Sequence, residues 1–290
     1  MRTSFLKIAC LVLALFLVQD ASANLVQNGT FSTVTYSGSL PLTAPYYGQI
    51  GPDSGSSPAS GATLTVANWS TGGYNFVFNA TNVDRGTQAN GAQAGQPEQA
   101  PGQFNAADGY GNTFMWGSHN GGAGGGASTW TAPPSGGNFI AADGAYEQGA
   151  ITQTITGLTV GKTYVLKFYY GAAQQESFDG ATTDQWTVSM GTGNVAGNFK
   201  TPVINLAAHS FSGWFQATMY FYANSTTETL SFLASGTPNG EPPFSLLAGV
   251  TLDVVPEYSS WLIFAGFGSL CVFLEVMRRR RHRSEIALAA

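Results

Sequence analysis

From residue 164 onward, apolar side chains recur at every second position, a period that a β-sheet satisfies and a helix does not. Tyr164, Leu166, Phe168 and Tyr170 share one face, and Trp186, Val188 and Met190 repeat the alternation. Phe215, Ala217, Met219 and Phe221 do so again, followed by Leu230 with Phe232 and by Val250, Leu252 and Val254. Between these runs lie turn formers: Gly157 with Gly161, the stretch 191–194, Asn224-Ser225 and Pro238-Asn239-Gly240. Five strands in about 105 residues leave no room for crossover helices, so the pattern predicts an antiparallel sandwich.

The first half is less regular. Strand-like pieces occur at 25–31, 64–69 and 74–78, but 84–137 is Gly, Ala, Gln and Asn with scattered aromatics, and 121–126 is nearly pure glycine. A free loop of about 50 residues is unusual inside a compact domain. The segment is therefore either an ordered insertion carrying a binding surface or a disordered excursion. Phe104, Tyr110, Phe114, Trp116 and Trp130 favour the first reading, while the shortage of aliphatic residues argues against a second domain.

Both ends carry processing signals. Arg2 and Lys7 precede an apolar stretch at 8–18, and Ala21-Ser22-Ala23 forms an A-x-A cleavage site, so residues 1–23 read as a signal peptide for the Sec export machinery and signal peptidase. At the other end Val255-Pro256-Glu257 stands before an apolar run at 261–274, closed by Arg278, Arg279, Arg280, Arg281 and Arg283. Pro256 lacks an N–H and holds its predecessor extended. The 14 residues of the run reach only about 21 Å against a hydrocarbon core of about 30 Å. Extending the span to 261–277 and letting the arginines snorkel covers part of the difference, and one-sided arginines hold that end in the cytoplasm. Both cysteines, Cys10 and Cys271, lie in these segments.

The stretch from 24 to 255 accordingly has no disulfide, thiolate nucleophile or cysteine metal site. It carries four basic side chains (Arg85, Lys162, Lys167, Lys200) against twelve acidic ones, a formal charge of −8, which repels nucleic acid.

The C-terminal layout resembles the PEP-CTERM sorting signal of bacterial surface proteins, with Tyr258 where the family has a second proline. The resemblance implies an exosortase as processing partner, a precursor held in the inner membrane by a single C-terminal transmembrane helix, and a mature form at the cell surface or outside the cell. It divides the chain into signal peptide 1–23, ectodomain 24–254, sorting signal 255–283 (motif 255–257, span 261–277, basic cluster 278–283) and tail 284–290. An ordinary uncut anchor is the alternative.

The pieces 25–31, 73–78, 137–144, 151–155 and 157–164, with Trp214, 229–232 and 247–252, look like galactose-binding-like jelly rolls, the architecture of many carbohydrate-binding modules. That resemblance implies an all-β, antiparallel jelly-roll sandwich and an exopolysaccharide or other glycan as partner. It also implies a structural calcium, for which Asp253 is the candidate ligand, although Thr30, Phe31 and Ser32 stand where such modules place an acid. No other cofactor is expected.

Sugars stack C–H faces on exposed rings and present hydroxyls to amides, carboxylates and backbone groups. Trp69, Tyr110, Trp116, Trp130 and Tyr146 lie in or beside loop-like stretches, with Asp143, Gln174 and Gln175 as acceptors near them. Trp186 and Trp214 read as core, whereas Trp116 and Trp130 are open between core and platform. For catalysis, His119 and His209 fit no metal-ligand spacing. Asp143 with Glu147, or Glu176 with Asp179, are carboxylate pairs by proximity alone. The expected function is a non-catalytic, glycan-associated surface protein; a purely structural matrix protein and a weak glycosidase are the alternatives.

Overall fold

The computed structural model describes residues 24–37, 48–51, 63–78, 115–116, 130–175, 178–191, 199–256 and 278. The signal peptide with Ala21 and Ala23, Tyr110, Glu257, Arg279, Arg280, Arg281 and the span 261–277 lie outside the described residues. The chain divides into two units, Ser22–Val254 and Met1–Ala21 together with Val255–Ala290. Of the second, Val255, Pro256 and Arg278 are described, Pro256 and Arg278 being exposed. Among the described residues no helix is long and apolar enough to cross a membrane.

The described part of the larger unit is all-β. Its strands are β1 (Val34–Ser37), β2 (Gly48–Gln49), β3 (Thr63–Val66), β4 (Ser70–Thr71), β5 (Asn75–Phe78), β6 (Phe139–Asp143) and β7 (Ile151–Thr156). They continue with β8 (Thr163–Gln174), β9 (Thr182–Met190), β10 (Phe199–Lys200), β11 (Ile204–Leu206), β12 (Phe215–Tyr222), β13 (Thr227–Thr237) and β14 (Pro243–Val254). One six-stranded sheet runs β10-β9-β13-β7-β4, with β11 also on β9; the other runs β12-β8-β14-β6-β5-β2; and β1 pairs β3 separately. Every pairing is antiparallel.

The two sheets pack face to face through the alternating apolar positions. Phe168 of β8 meets Phe232 of β13 edge-on at 5.1 Å, and Trp186 of β9 meets Phe232 at 6.1 Å. Leu166, Leu252, Val188, Met190 and Leu230 complete the middle of this core, all fully buried.

A second cluster covers the outer face of the β8-β14-β6-β5 sheet and explains a change of pattern along the strands. β8 alternates buried and accessible as far as Tyr170, then is buried continuously from Gly171 to Gln174. β14 is continuously buried from Pro243 to Ala248 and alternates afterwards. Two-sided burial of this kind is what a strand shows when both its faces are covered. The cover is Met115 and Trp130, packed with Phe76, Phe78, Phe139, Phe211, Trp214 and Phe244. Of the glycine-rich insertion, Met115 and Trp130 thus pack on this face of the sheet.

The stretch 25–31 is not a strand. Asn28 and Phe31 take positive φ (50° and 52°), and Asn28 replaces a ladder with its side chain. Its amide N–H donates to the carbonyls of Thr33 (3.1 Å) and Ala67 (3.0 Å), and its Oδ1 accepts the Thr33 N–H (3.0 Å). This knot holds the first residues against the last strand, where Leu25 N–H donates to Leu252 O and Val250 N–H to Gly29 O, each at 2.9 Å. Between residues 150 and 254 the structure has more strands than the apolar alternation counts. β7 (Ile-Thr-Gln-Thr-Ile-Thr) has apolar residues only at its two buried isoleucines, with Gln153 buried between them, and β10 and β11 are too short to show a period.

Candidate functional site

At the end of the sandwich where β6 and β8 stop and β14 begins, four connections converge on a cleft of about 340 Å³. Tyr74 enters it from just before β5, Asp143 from the end of β6 and Tyr146 from the turn that follows. Gln175 and Phe178 come from the β8–β9 connection, and Asn239, Gly240 and Pro242 from the β13–β14 turn. Sheet order produces the convergence, because Asp143 is paired with Phe244 and Gln174 with Pro243.

Asp143 is the floor of the site. It is 1 % exposed, and its Oδ1 accepts the backbone N–H groups of Ala145 (2.7 Å) and Tyr146 (3.0 Å), which folds the turn that carries Tyr146 outward. Its Oδ2 is buried and has no hydrogen-bond partner among the described residues, nor has Oε1 of Gln175, which is 5 % exposed. Burial pushes the Asp143 carboxyl above the usual carboxylate range, against the pull of the Tyr146 and Ala145 N–H groups. Behind it Asp184 of β9 is pushed up to about 8 by burial, with the Ser245 and Thr182 hydroxyls pulling the other way and the Asp143 charge adding to the rise.

Aromatic rings supply the walls. Tyr146 is half exposed and meets Tyr74 edge-on at 5.6 Å, while Tyr74 stacks on Phe244 at 6.2 Å. Phe178 is held by the insertion: the Trp116 indole N–H donates to its carbonyl at 2.9 Å, and the Trp116 backbone N–H donates to Gln174 O at 3.1 Å. The Trp116 ring lies 3.9 Å from that of His209, which in turn pairs with Asp179 in the same connection.

Of the residues singled out in the sequence, Asp143, Tyr146 and Gln175 thus meet in one cleft, with Trp116 bracing its wall. Gln174 does not reach it. It is fully buried, with Nε2 donating to Gly180 O (3.0 Å) and Oε1 accepting the His209 N–H (2.7 Å), so its amide shapes the loop. Trp69 is corrected from platform to core: it is 7 % exposed, packed on Phe31 at 5.2 Å, with its indole N–H donated to Asn28 O at 3.1 Å. Trp130 lies 4.1 Å from Phe211 in the second cluster, so packing takes up that ring. Trp186 is core as read, whereas Trp214 borders the outer cluster.

Asp253 is half-buried near the end of β14, and among the described residues no group of three or more His, Cys, Asp or Glu side chains is placed to hold a metal. Tyr74, Phe178, Asn239, Gly240 and Pro242 are the lining residues that the sequence did not single out for binding. The Pro-Asn-Gly turn was visible, but its neighbours in space were not.

No family model matches the chain, and no curated protein does. Among solved structures it is similar to one titled "CBM4 structure and function" (19 % identity over 50 % of this chain and 87 % of that one, TM-score 0.27). It is also similar to TmCBM61 in complex with β-1,4-galactotriose (9 % identity, 81 % and 100 % covered, TM-score 0.31) and to the Stig cyclase Fisc from Fischerella sp. TAU (13 %, 81 % and 99 %, TM-score 0.38). TM-scores at this level lie below the range in which two folds are equated.

Proposed function

We propose that the chain is an exported bacterial surface protein whose jelly-roll-like sandwich holds a glycan, without catalysis, in the cleft between Tyr146 and Gln175. One observation carries the ligand half of the reading. Two buried oxygen acceptors, Asp143 Oδ2 and Gln175 Oε1, lack donors among the described residues in a cleft walled by aromatic rings. Buried acceptors left unpaired cost about 1–3 kcal/mol each, and a sugar supplies hydroxyl donors for them and C–H faces for the rings.

A binding role fits this floor better than hydrolysis does. Glycoside cleavage uses two carboxyl groups about 5–9.5 Å apart across one bond. Among the described residues that line the cleft Asp143 is the one carboxylate, and Asp184 behind it is turned to the Ser245 and Thr182 hydroxyls inside the sandwich.

The export half rests on the sequence. Cleavage after Ala23 by signal peptidase, retention of the precursor by 261–277, and exosortase processing at Val255-Pro256-Glu257 are the proposed steps. The ligand half is tested by pulling down the full chain with extracted exopolysaccharide. Retention that falls at least about tenfold in Tyr146→Ala and Gln175→Ala supports the reading. Undiminished retention in both variants favours a matrix protein without a discrete site.

A further inference from the structure

The floor of the cleft has a sign as well as a shape. No Lys or Arg lines it among the described residues, and Asp143 has no cationic partner there. Asp184 lies behind it close enough for the Asp143 charge to raise its proton affinity, and Glu241 sits between the lining residues Gly240 and Pro242, its Oε2 buried with no hydrogen-bond partner among the described residues. The described lysines of the sandwich are elsewhere: Lys162 just before β8, Lys167 in the first half of that strand, and Lys200 on β10 opposite Thr187 of β9. Three aromatic side chains, Tyr74, Tyr146 and Phe178, surround the acid.

A carboxylate among aromatic rings is the combination that receives an ammonium group, since the rings attract a cation through their faces and the acid forms a charge-assisted hydrogen bond. Both acceptors are buried and have no hydrogen-bond partner among the described residues, so a donor must press into the floor rather than rest at the rim. A primary ammonium carries three donors on one small atom, enough in number for both acceptors. An acidic sugar would bring a second negative charge to a buried carboxyl and is disfavoured.

We infer that the cleft selects a glycan carrying free amino groups, a protonated hexosamine whose ammonium seats on Asp143 and Gln175 while its ring lies against Tyr146. This rests on the glycan reading above and narrows it to one chemical class.

Calorimetric titration of the full chain separates the two. Glucosamine oligomers, their N-acetylated counterparts and glucose oligomers of equal length are compared below the amine's pKa. The amine series binds about tenfold tighter than the other two. Asp143→Asn, which keeps the Oδ1 acceptor of the turn, removes that advantage and leaves glucose oligomers within about threefold. Asp253→Asn removes the same charge near the far end of β14 and keeps the advantage, which separates the site from bulk charge. Equal affinity for the three series, or an advantage that survives Asp143→Asn, overturns the amine preference and leaves a neutral-glycan cleft. Absence of binding in all three overturns this inference together with the glycan reading.

Discussion

The indole N–H of Trp186 on β9 donates to the backbone carbonyl of Leu246 on β14 at 2.9 Å, so one buried hydrogen bond ties the two sheets together inside the core. Trp186 is 1 % exposed and Leu246 is fully buried. Its ring also meets Phe232 edge-on, which fixes its orientation.

Trp186→Phe keeps most of the ring volume and removes the donor. The lost bond and partial cavity destabilise the sandwich by about 1–3 kcal/mol, read as a lower midpoint in urea with an unchanged slope. An unchanged midpoint would show that the cross-sheet bond contributes nothing.

Gly29 is fixed by close approach. A Cβ there would lie 2.0 Å from the carbonyl oxygen of Val250, in the segment that joins the first described residues to the last strand. Gly29→Ala forces the two backbones apart and costs about 1–3 kcal/mol. Amide exchange at Leu25 and Val250, whose N–H groups bond across this seam, accelerates more than exchange at Phe168 in the centre of the core.

Asp184 makes stability depend on pH in a stated direction. Its carboxyl stands near 3.8 in an unfolded chain and is pushed up to about 8 in the folded one, so over that window the folded state binds a proton that the unfolded state has released. Stability is therefore greatest at the acid end, falls as pH rises through the window and levels off above it. Asp143, shifted the same way, adds to the slope. Asp184→Asn flattens the dependence and raises the melting temperature at the alkaline end; a wild-type melting temperature that climbs across the window would contradict the assignment.

Trp116 acts on the cleft through the β8–β9 connection. Removing its indole in Trp116→Ala frees the Phe178 carbonyl and the His209 ring together. Glycan affinity falls about three- to tenfold and proteolytic cutting in that connection accelerates, while the melting temperature moves little. A loss of affinity with no change in cutting would make Trp116 a ligand contact instead.

How far the sequence foretold this arrangement depends on whether the signal is local. Alternation identified β8, β9, β12, β13 and the end of β14, because one buried face leaves period two in the chain. It did not announce β7, where threonines occupy every second position, nor the start of β14, where burial on both faces erases the alternation. The knot at Asn28 was also invisible, since a side-chain amide bonded to Thr33 and Ala67 leaves no period. For the cleft, Asp143, Tyr146 and Gln175 stood out as polar or aromatic residues in loops. Tyr74, Phe178 and Asn239 did not, because what brings them together is the neighbourhood of β6, β14 and β8 in the sheet. Trp116 and Trp130, set among glycines, could equally have been platform or packing. The covered outer face of the second sheet decides that Trp130 packs.

The export reading has its own check. Exchanging Pro256 and Glu257 for alanine traps the full-length precursor in the inner membrane, and mass spectrometry of protein recovered outside the cell finds Asn24 at one end and no Arg278–Arg283 at the other. Unaltered surface release of the variant would reject the sorting signal.

The most direct measurement is a crystal structure of the protein with the oligosaccharide that binds it best. The account predicts a sugar ring against Tyr146 with a donor within hydrogen-bond reach of Asp143 Oδ2 and Gln175 Oε1. A ligand seated instead on the exposed tyrosines of β12, Tyr220 and Tyr222, with the cleft still empty, would contradict it.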